Sequence, residues 1–385
     1  MNNHFDLIIV GAGMTGSSLA LALAKQGLNL ALVDRMALPC PASQSLPNSV
    51  VALNAQSRTW LQEQNSWPVR ATAYQGMRVW DQQSLGLIEF GEPGSTLGHI
   101  VGNQDLLACQ HQQLQGHKQI QIFDLCQIRH WRAAQGSQPA MLELDSGEQL
   151  QATLIVAADG KHSQLRQQAG IEIKQTDYQQ QALTALVALE RPHQQICHQA
   201  FTEQGPIAIL PVDQGHHAAL VWSQDLGLGR MQLTKEQQEA ELNQAFGPQL
   251  GRISLQSPLQ STPLVAQHAK RYHHQGVLLL GDAAHSIHPL AGQGVNLGFA
   301  DVRTLSQLLG QAKQAGCTLN DEQLLDRYQR QRQLDNALTL QLMTGFKQLF
   351  GSHNPYWRSV RSSGLNLVNQ QGWLKTWFTG LAQGR

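Results

Sequence analysis

The segment 7–34 constrains this chain more than any other. An unbroken apolar run, Leu7-Ile8-Ile9-Val10, leads directly into Gly11-Ala12-Gly13-Met14-Thr15-Gly16 and then into an Ala- and Leu-rich stretch, 17–26, that stops at Gly27. A strand with no polar face belongs inside a parallel sheet covered on both sides. The stretch after the glycines reads as a helix with a C-terminal glycine. Leu30-Ala31-Leu32-Val33 reads as the returning strand, with Asp34 at its end. In such a βαβ unit each glycine has a task. Gly11 permits the tight turn, Gly13 lets the backbone approach a pyrophosphate, and Gly16 lets the helix close on the strand. Free N–H groups at the helix start face the phosphates. Asp34 can accept from ribose hydroxyls, which favours an adenosine without a 2′-phosphate. The pattern predicts a bound dinucleotide but does not separate FAD from NAD.

Two later stretches carry the same logic. In Ala157-Ala158-Asp159-Gly160, a strand delivers Asp159 and Gly160 to its carboxyl end, where ligands of α/β sheets bind. Ser163 is placed to cap a following helix that carries Arg166. Taken alone, an Asp-Gly turn is the simpler reading of this stretch. The third is more specific: Gly281-Asp282-Ala283-Ala284-His285-Ser286-Ile287-His288-Pro289-Leu290-Ala291-Gly292-Gln293-Gly294-Val295-Asn296. Asp282 ends a buried strand. Gly292 and Gly294 let backbone come close to something flat, and Asn296 opens a helix whose first N–H groups can stabilise an anionic ring.

Charge and cysteine usage exclude several classes. With 27 basic and 27 acidic residues, the formal net charge is zero, so there is no basic excess for a phosphate backbone and no nucleic-acid partner is expected. Charged residues make up only 14% of the chain. Gln supplies much of the polar remainder, at about one residue in seven. No apolar run approaches the length of a membrane span, and residues 1–5 carry no signal-peptide pattern. The five cysteines are scattered and form no CxxC pair, which fits a reducing compartment. A cytoplasmic protein is expected. The 16 histidines lack converging acidic or thiol partners, so no metal site is expected.

The predicted fold class is α/β: a Rossmann-like βαβ domain, an inserted and mostly antiparallel sheet domain, and a helical C-terminal region. The nucleotide-binding domain is drawn from 1–75, 100–177 and 272–350. The substrate domain takes 76–99 and 178–271, and a tail runs over 351–385. In that tail Trp373, Leu374, Trp377, Phe378 and Leu381 fall on one helical face. Such a stripe suits packing on the protein's own core, or peripheral contact with a membrane interface.

The three motifs, in this order and spacing, resemble the flavoprotein aromatic hydroxylases of the p-hydroxybenzoate hydroxylase fold. The stretch 281–301 is similar to the ubiquinone-biosynthesis hydroxylases, within which the branch acting on 2-polyprenylphenol is the nearest match. The segments 74–81, 97–103, 176–183 and 343–350 contribute to it. The resemblance implies FAD as cofactor and NAD(P)H as reductant. It implies ring hydroxylation of a polyprenylated phenol by O₂ through a flavin C4a-hydroperoxide, with other ubiquinone-biosynthesis proteins as partners. It places Gly11, Gly13, Gly16 and Asp34 on the ADP half of FAD, and Asp159 and Gly160 near the pyrophosphate. Asp282 falls at the ribityl–pyrophosphate region, and Pro289, Gly292, Gly294 and Asn296 along the isoalloxazine ring, with His288 as a further pocket candidate. Two positions depart from the family pattern: Ser49 stands where an arginine is usual, and Gly102 where relatives often carry glutamate. They keep two other readings in view, a hydroxylase of a later quinol ring position and a non-catalytic flavoprotein subunit of the same pathway. The peripheral site implied is the inner face of the membrane.

Overall fold

The computed structural model describes residues 3–82, 87–91, 94–134, 138–202, 204–246, 249–286 and 294–351. His288, Pro289, Gly292 and the stripe Trp373–Leu381 therefore lie outside the described residues. The seven α-helices among those described are α1 (Met14–Lys25), α2 (Ala55–Glu63), α3 (Asn103–Leu114), α4 (Gln164–Gln168), α5 (Lys235–Phe246), α6 (Gly294–Gln314) and α7 (Glu322–Gly351).

The first sheet brings together pieces that are far apart in the chain. Its order is His273–His274, Val277–Leu279, Gln149–Ala157, His4–Val10, Leu30–Val33 and Ile120–Phe123. His4–Val10 is paired in parallel with Gln149–Ala157 and Leu30–Val33, and Gln149–Ala157 with Val277–Leu279. The ends of all three motif strands thus lie side by side on one carboxyl edge. The apolar runs explain the placement: Leu7, Ile8, Ile9, Leu154, Ile155, Val156 and Val277–Leu279 are fully buried, as two-sided cover requires. α1 and α6 pack on this sheet through Leu19, Leu23, Leu305 and Leu309.

The second sheet is antiparallel for most of its width. Its long strand Ile173–Leu189 pairs with His217–Asp225 on one side and with Gln260–Ala269 on the other. Outward lie Gly205–Pro211, Ile196–Thr202, Gly76–Asp81 and Leu87–Phe90. One face, with Leu183, Ala185, Leu220, Trp222 and Ile207, is covered by Leu242 and Phe246 of α5. The other, with Leu186, Cys197, Leu210 and Ala219, meets Tyr74, Leu97, Ile100 and Ala52. Those last residues belong to, or adjoin, a small third sheet, Val50–Leu53, Gly98–Gly102 and Ala71–Tyr74. The second sheet starts at position 173 rather than 178; the Gln-rich half of its long strand, 174–181, is exposed or half-buried and is held by backbone pairing and by polar side-chain bonds such as Gln180 to Asp225 and Ser261 to Gln181. Polar side chains hide that half from an apolar pattern. A two-residue strand, His285–Ser286, pairs with His268 and Gln267 at the edge, and so ties the third motif to this sheet.

Candidate functional site

The first motif is held by close approach. A Cβ at Gly11 would stand 2.3 Å from the Ala158 carbonyl oxygen, and one at Gly16 only 1.9 Å from that of Gly11. At Gly13 a Cβ would meet nothing within 4 Å, so this glycine faces open space in front of α1. Asp34 is drawn into the same loop. Its Oδ2 accepts from the Ala12 N–H at 2.6 Å and its Oδ1 from the Met36 N–H at 2.7 Å. Each oxygen keeps a further lone pair. From behind, α3 braces the loop: His111 Nε2 is 2.8 Å from the Ala12 carbonyl while its Nδ1 accepts from the Cys40 N–H. Gln110 Nε2 donates to the Met14 carbonyl at 3.0 Å.

The second motif meets the other two. Asp159 Oδ2 accepts from the N–H groups of Gln164 and Leu165 at the start of α4, and burial pushes its carboxyl pKa up. Ser163 Oγ accepts from the Arg166 N–H at 3.0 Å, the expected cap. Arg166 is 3% exposed and donates to the carbonyls of Ala283 and Lys161. Gln267 joins Lys161 to Asp282 in the same way.

Around the third motif lies a buried polar cluster that sequence reasoning missed. Asp301 of α6 is fully buried. It accepts from Arg332 Nε at 2.7 Å, pairs with His285 Nε2 at 2.5 Å, and accepts from the Gly281 N–H at 3.2 Å. Asn336 donates to Tyr272 and to Asp301. Burial alone would raise the Asp301 carboxyl; His285 and Arg332 outweigh it and hold the group below the usual carboxylate range. One carboxylate therefore clamps both ends of the loop that carries Asp282. Solvent reaches Asp282 itself, yet surrounding protein pushes its carboxyl up. Asn296 is the third residue of α6 rather than its opener. Its side chain is occupied by Ala52, Asn54 and Ser57, leaving its backbone as what it can offer a ligand.

The two departures sit together. Ser49 Oγ accepts from Asn103 Nδ2 at 2.8 Å. The space beside Gly102 is filled by the Pro47 ring, 2.9 Å from where a Cβ would stand, and by Asp105 Oδ2 at 2.8 Å. Asp105 is paired with Arg70 at 2.5 Å. The corner that lacks charges at 49 and 102 thus holds an ion pair of its own. Among the described residues no group of three or more His, Cys, Asp or Glu could hold a metal.

The open space at Gly13, the two glycine approaches and the reachable Asp282 fit the ADP and ribityl parts of FAD along one edge of the first sheet. Residues 4–341 match the FAD binding domain family, and the chain belongs to that family of FAD-dependent monooxygenases, on the side of the ubiquinone-biosynthesis hydroxylases. It is 33% identical to 3-demethoxyubiquinol 3-hydroxylase of Escherichia coli, over 97% of both chains. It is 31% identical to ubiquinone hydroxylase UbiL of Rhodospirillum rubrum, over 98% of this chain and 89% of the relative. The structure of p-nitrophenol 4-monooxygenase PnpA from Pseudomonas putida superposes with a TM-score of 0.80 at 15% identity, covering 98% of this chain and 97% of that one. PqsL from Pseudomonas aeruginosa gives 0.77 at 21%, covering 94% and 99%. At these identities the two structures speak for the fold.

Proposed function

We propose that this monooxygenase hydroxylates the ring of a polyprenylated phenol on the route to ubiquinone, with FAD as cofactor, NAD(P)H as reductant and O₂ as co-substrate. The observation that carries the reading is the lining of the second sheet on the side of the third. Two adjoining rows of side chains share that face. One runs Ile88, Val79, Gln199, Ala208, Val221, Thr184; the other contains Met77, Cys197, Leu210, Ala219 and Leu186. Neither holds a charged residue. A wall without a cation does not select a carboxylate, and apolar side chains favour a neutral, hydrocarbon-rich ring.

Bound in this site, FAD would supply the redox chemistry that NAD(P)H and O₂ need for attack on an electron-rich ring. The chain's own residues bind, orient and exclude water. Gly11, Gly13 and Gly16 with Asp34 would hold the ADP half, Asp159 and Gly160 would lie by the pyrophosphate, and Asp282 would take the ribityl hydroxyls. The backbone at Gly294 and Asn296 would face the ring of the cofactor. The apolar rows keep water from the reacting atoms, which strengthens every electrostatic contact there. No helix among the described residues is long and apolar enough to cross a membrane.

A second reading, hydroxylation at a later quinol position, is favoured by the name of the Escherichia coli relative. Deleting the gene and identifying the accumulated intermediate separates the two: a polyprenylphenol supports the first, a methoxylated benzoquinol the second. Purified protein that is yellow but never bleaches anaerobically with NAD(P)H, even with substrate and partners added, would overturn both in favour of a non-catalytic subunit.

A further inference from the structure

Gln199 is out of place in its row. Its neighbours across the strands are Val79 on one side and Ala208 on the other, and the row continues through Ile88 and Val221. Directly opposed residues share a face, so Gln199 lies on the face turned toward Tyr74, Leu97 and Ile100. It is 8% exposed. A side-chain amide buried to that degree ordinarily finds partners within the protein. Among the described residues this one makes no side-chain hydrogen bond. Nor is it sealed off: the buried atoms without partners include His198 Nδ1 and Trp222 Nε1 on the opposite face, but neither atom of the Gln199 amide. An amide that is nearly buried, unpartnered and still reachable opens into a space.

We infer that Gln199 is the substrate-recognition residue that hydrogen-bonds the ring hydroxyl of the phenol, the one polar contact that orients an otherwise apolar ligand against its wall. The inference rests on the proposed function. An amide both donates and accepts, so it can serve the hydroxyl in either sense, and it takes no proton from it. Gln199 therefore sets orientation and selectivity rather than reactivity. Thr184 and Ser223 are the nearest other hydroxyl-bearing residues of this face. Thr184 is three strands away along the row and Ser223 is displaced toward the next; the Asp81 carboxylate, diagonal to Gln199 on the same face, has an interaction of its own, which leaves Gln199 as the amide among Val79, Ala208 and Ile88.

The test compares the FAD-loaded wild type with Gln199→Leu, using 2-prenylphenol and its O-methyl ether as ligands. Equilibrium binding is read from the perturbation of the flavin absorbance, and turnover is measured in parallel. Wild type is expected to prefer the phenol over the ether by roughly tenfold, the value of one well-made hydrogen bond. Gln199→Leu is expected to bind both ligands alike, with KM for the phenol raised and FAD content unchanged. Its melting temperature should hold or rise, because an amide without a partner contributes nothing to the empty fold; a structural glutamine would lower it. Gln199→Asn, which restores an amide, should recover part of the preference. If Gln199→Leu keeps the full preference of the wild type, or melts markedly lower, the inference is overturned while the proposed function stands. If wild type binds neither ligand, the proposed function falls and the inference falls with it.

Discussion

At the scale of single residues, glycines that look alike in the sequence do different work. Gly16 has no room for a side chain and Gly13 has nothing but room. Gly16→Ala is expected to push α1 off its strand and unfold the protein well below the wild-type melting temperature. Gly13→Ala has an ordinary extended backbone to accept it. It should leave stability within about 0.5 kcal/mol while weakening FAD binding at least tenfold, as read by flavin fluorescence. The two outcomes separate fold from ligand at positions three apart. A second residue-scale effect concerns acid. Burial, with Arg78 nearby, pushes the His198 imidazole down to about 4, against about 6.5 in an unfolded chain. Between those values the unfolded chain holds a proton that the folded one does not, so stability falls as pH falls through that window. This one group is worth about 3 kcal/mol by pH 4. Urea unfolding of His198→Leu at pH 7 and pH 4 should show a loss smaller by about that amount.

At the scale of elements, what was legible in the sequence was whatever its own chemistry announces. The strand 7–10 showed itself by being apolar throughout, and α4 by a serine at its cap. The strand Ile173–Leu189 was half legible, because its first residues are polar and only pairing makes them a strand. The union of α6, α7 and the third motif was not legible at all. Asp301, Arg332 and Asn336 are separated from Gly281 and His285 by up to 55 positions, and nothing local says that they meet. That union carries weight: removing one member leaves another charge buried without its partner. Asp301→Asn is expected to cost about 3–5 kcal/mol in urea unfolding and, by releasing the loop around Asp282, to weaken FAD binding as well. Replacing Asp301 and Arg332 together by Asn and Met should cost less than the sum of the two single changes.

At the scale of the whole molecule, the expected cofactor cleft draws on three stretches of chain that meet only in the folded state: 11–34, 159–166 and 281–301. A ligand gripping all three binds the native state and not the unfolded one, so its removal should be felt globally. Stripping FAD is expected to lower the melting temperature, and re-adding it at about one hundred times its dissociation constant should restore about 2.7 kcal/mol. The two sheets have no strand in common, but the loop after Val277–Leu279 of the first runs straight into His285–Ser286 of the second, and Arg166 and Gln267 hold that loop from either side, so the transition should remain single in both states.

The parallel ordering of His4–Val10, Gln149–Ala157 and Val277–Leu279 also sets a timetable for biosynthesis. A ribosome releases the first strand and its near neighbour Leu30–Val33 long before Gln149–Ala157, the partner on the other side, exists, and the glycine loop leans on Ala158 and on α3. The anchor of the Asp282 loop waits for Arg332 and Asn336, hundreds of positions after the first strand. Until Gln149–Ala157 arrives the nascent chain exposes an apolar strand paired on one side only, the kind of surface that chaperones protect. Flavin loading is therefore expected only after α7 has been made, and supply of the cofactor can then limit the yield of active enzyme without touching the rate of synthesis.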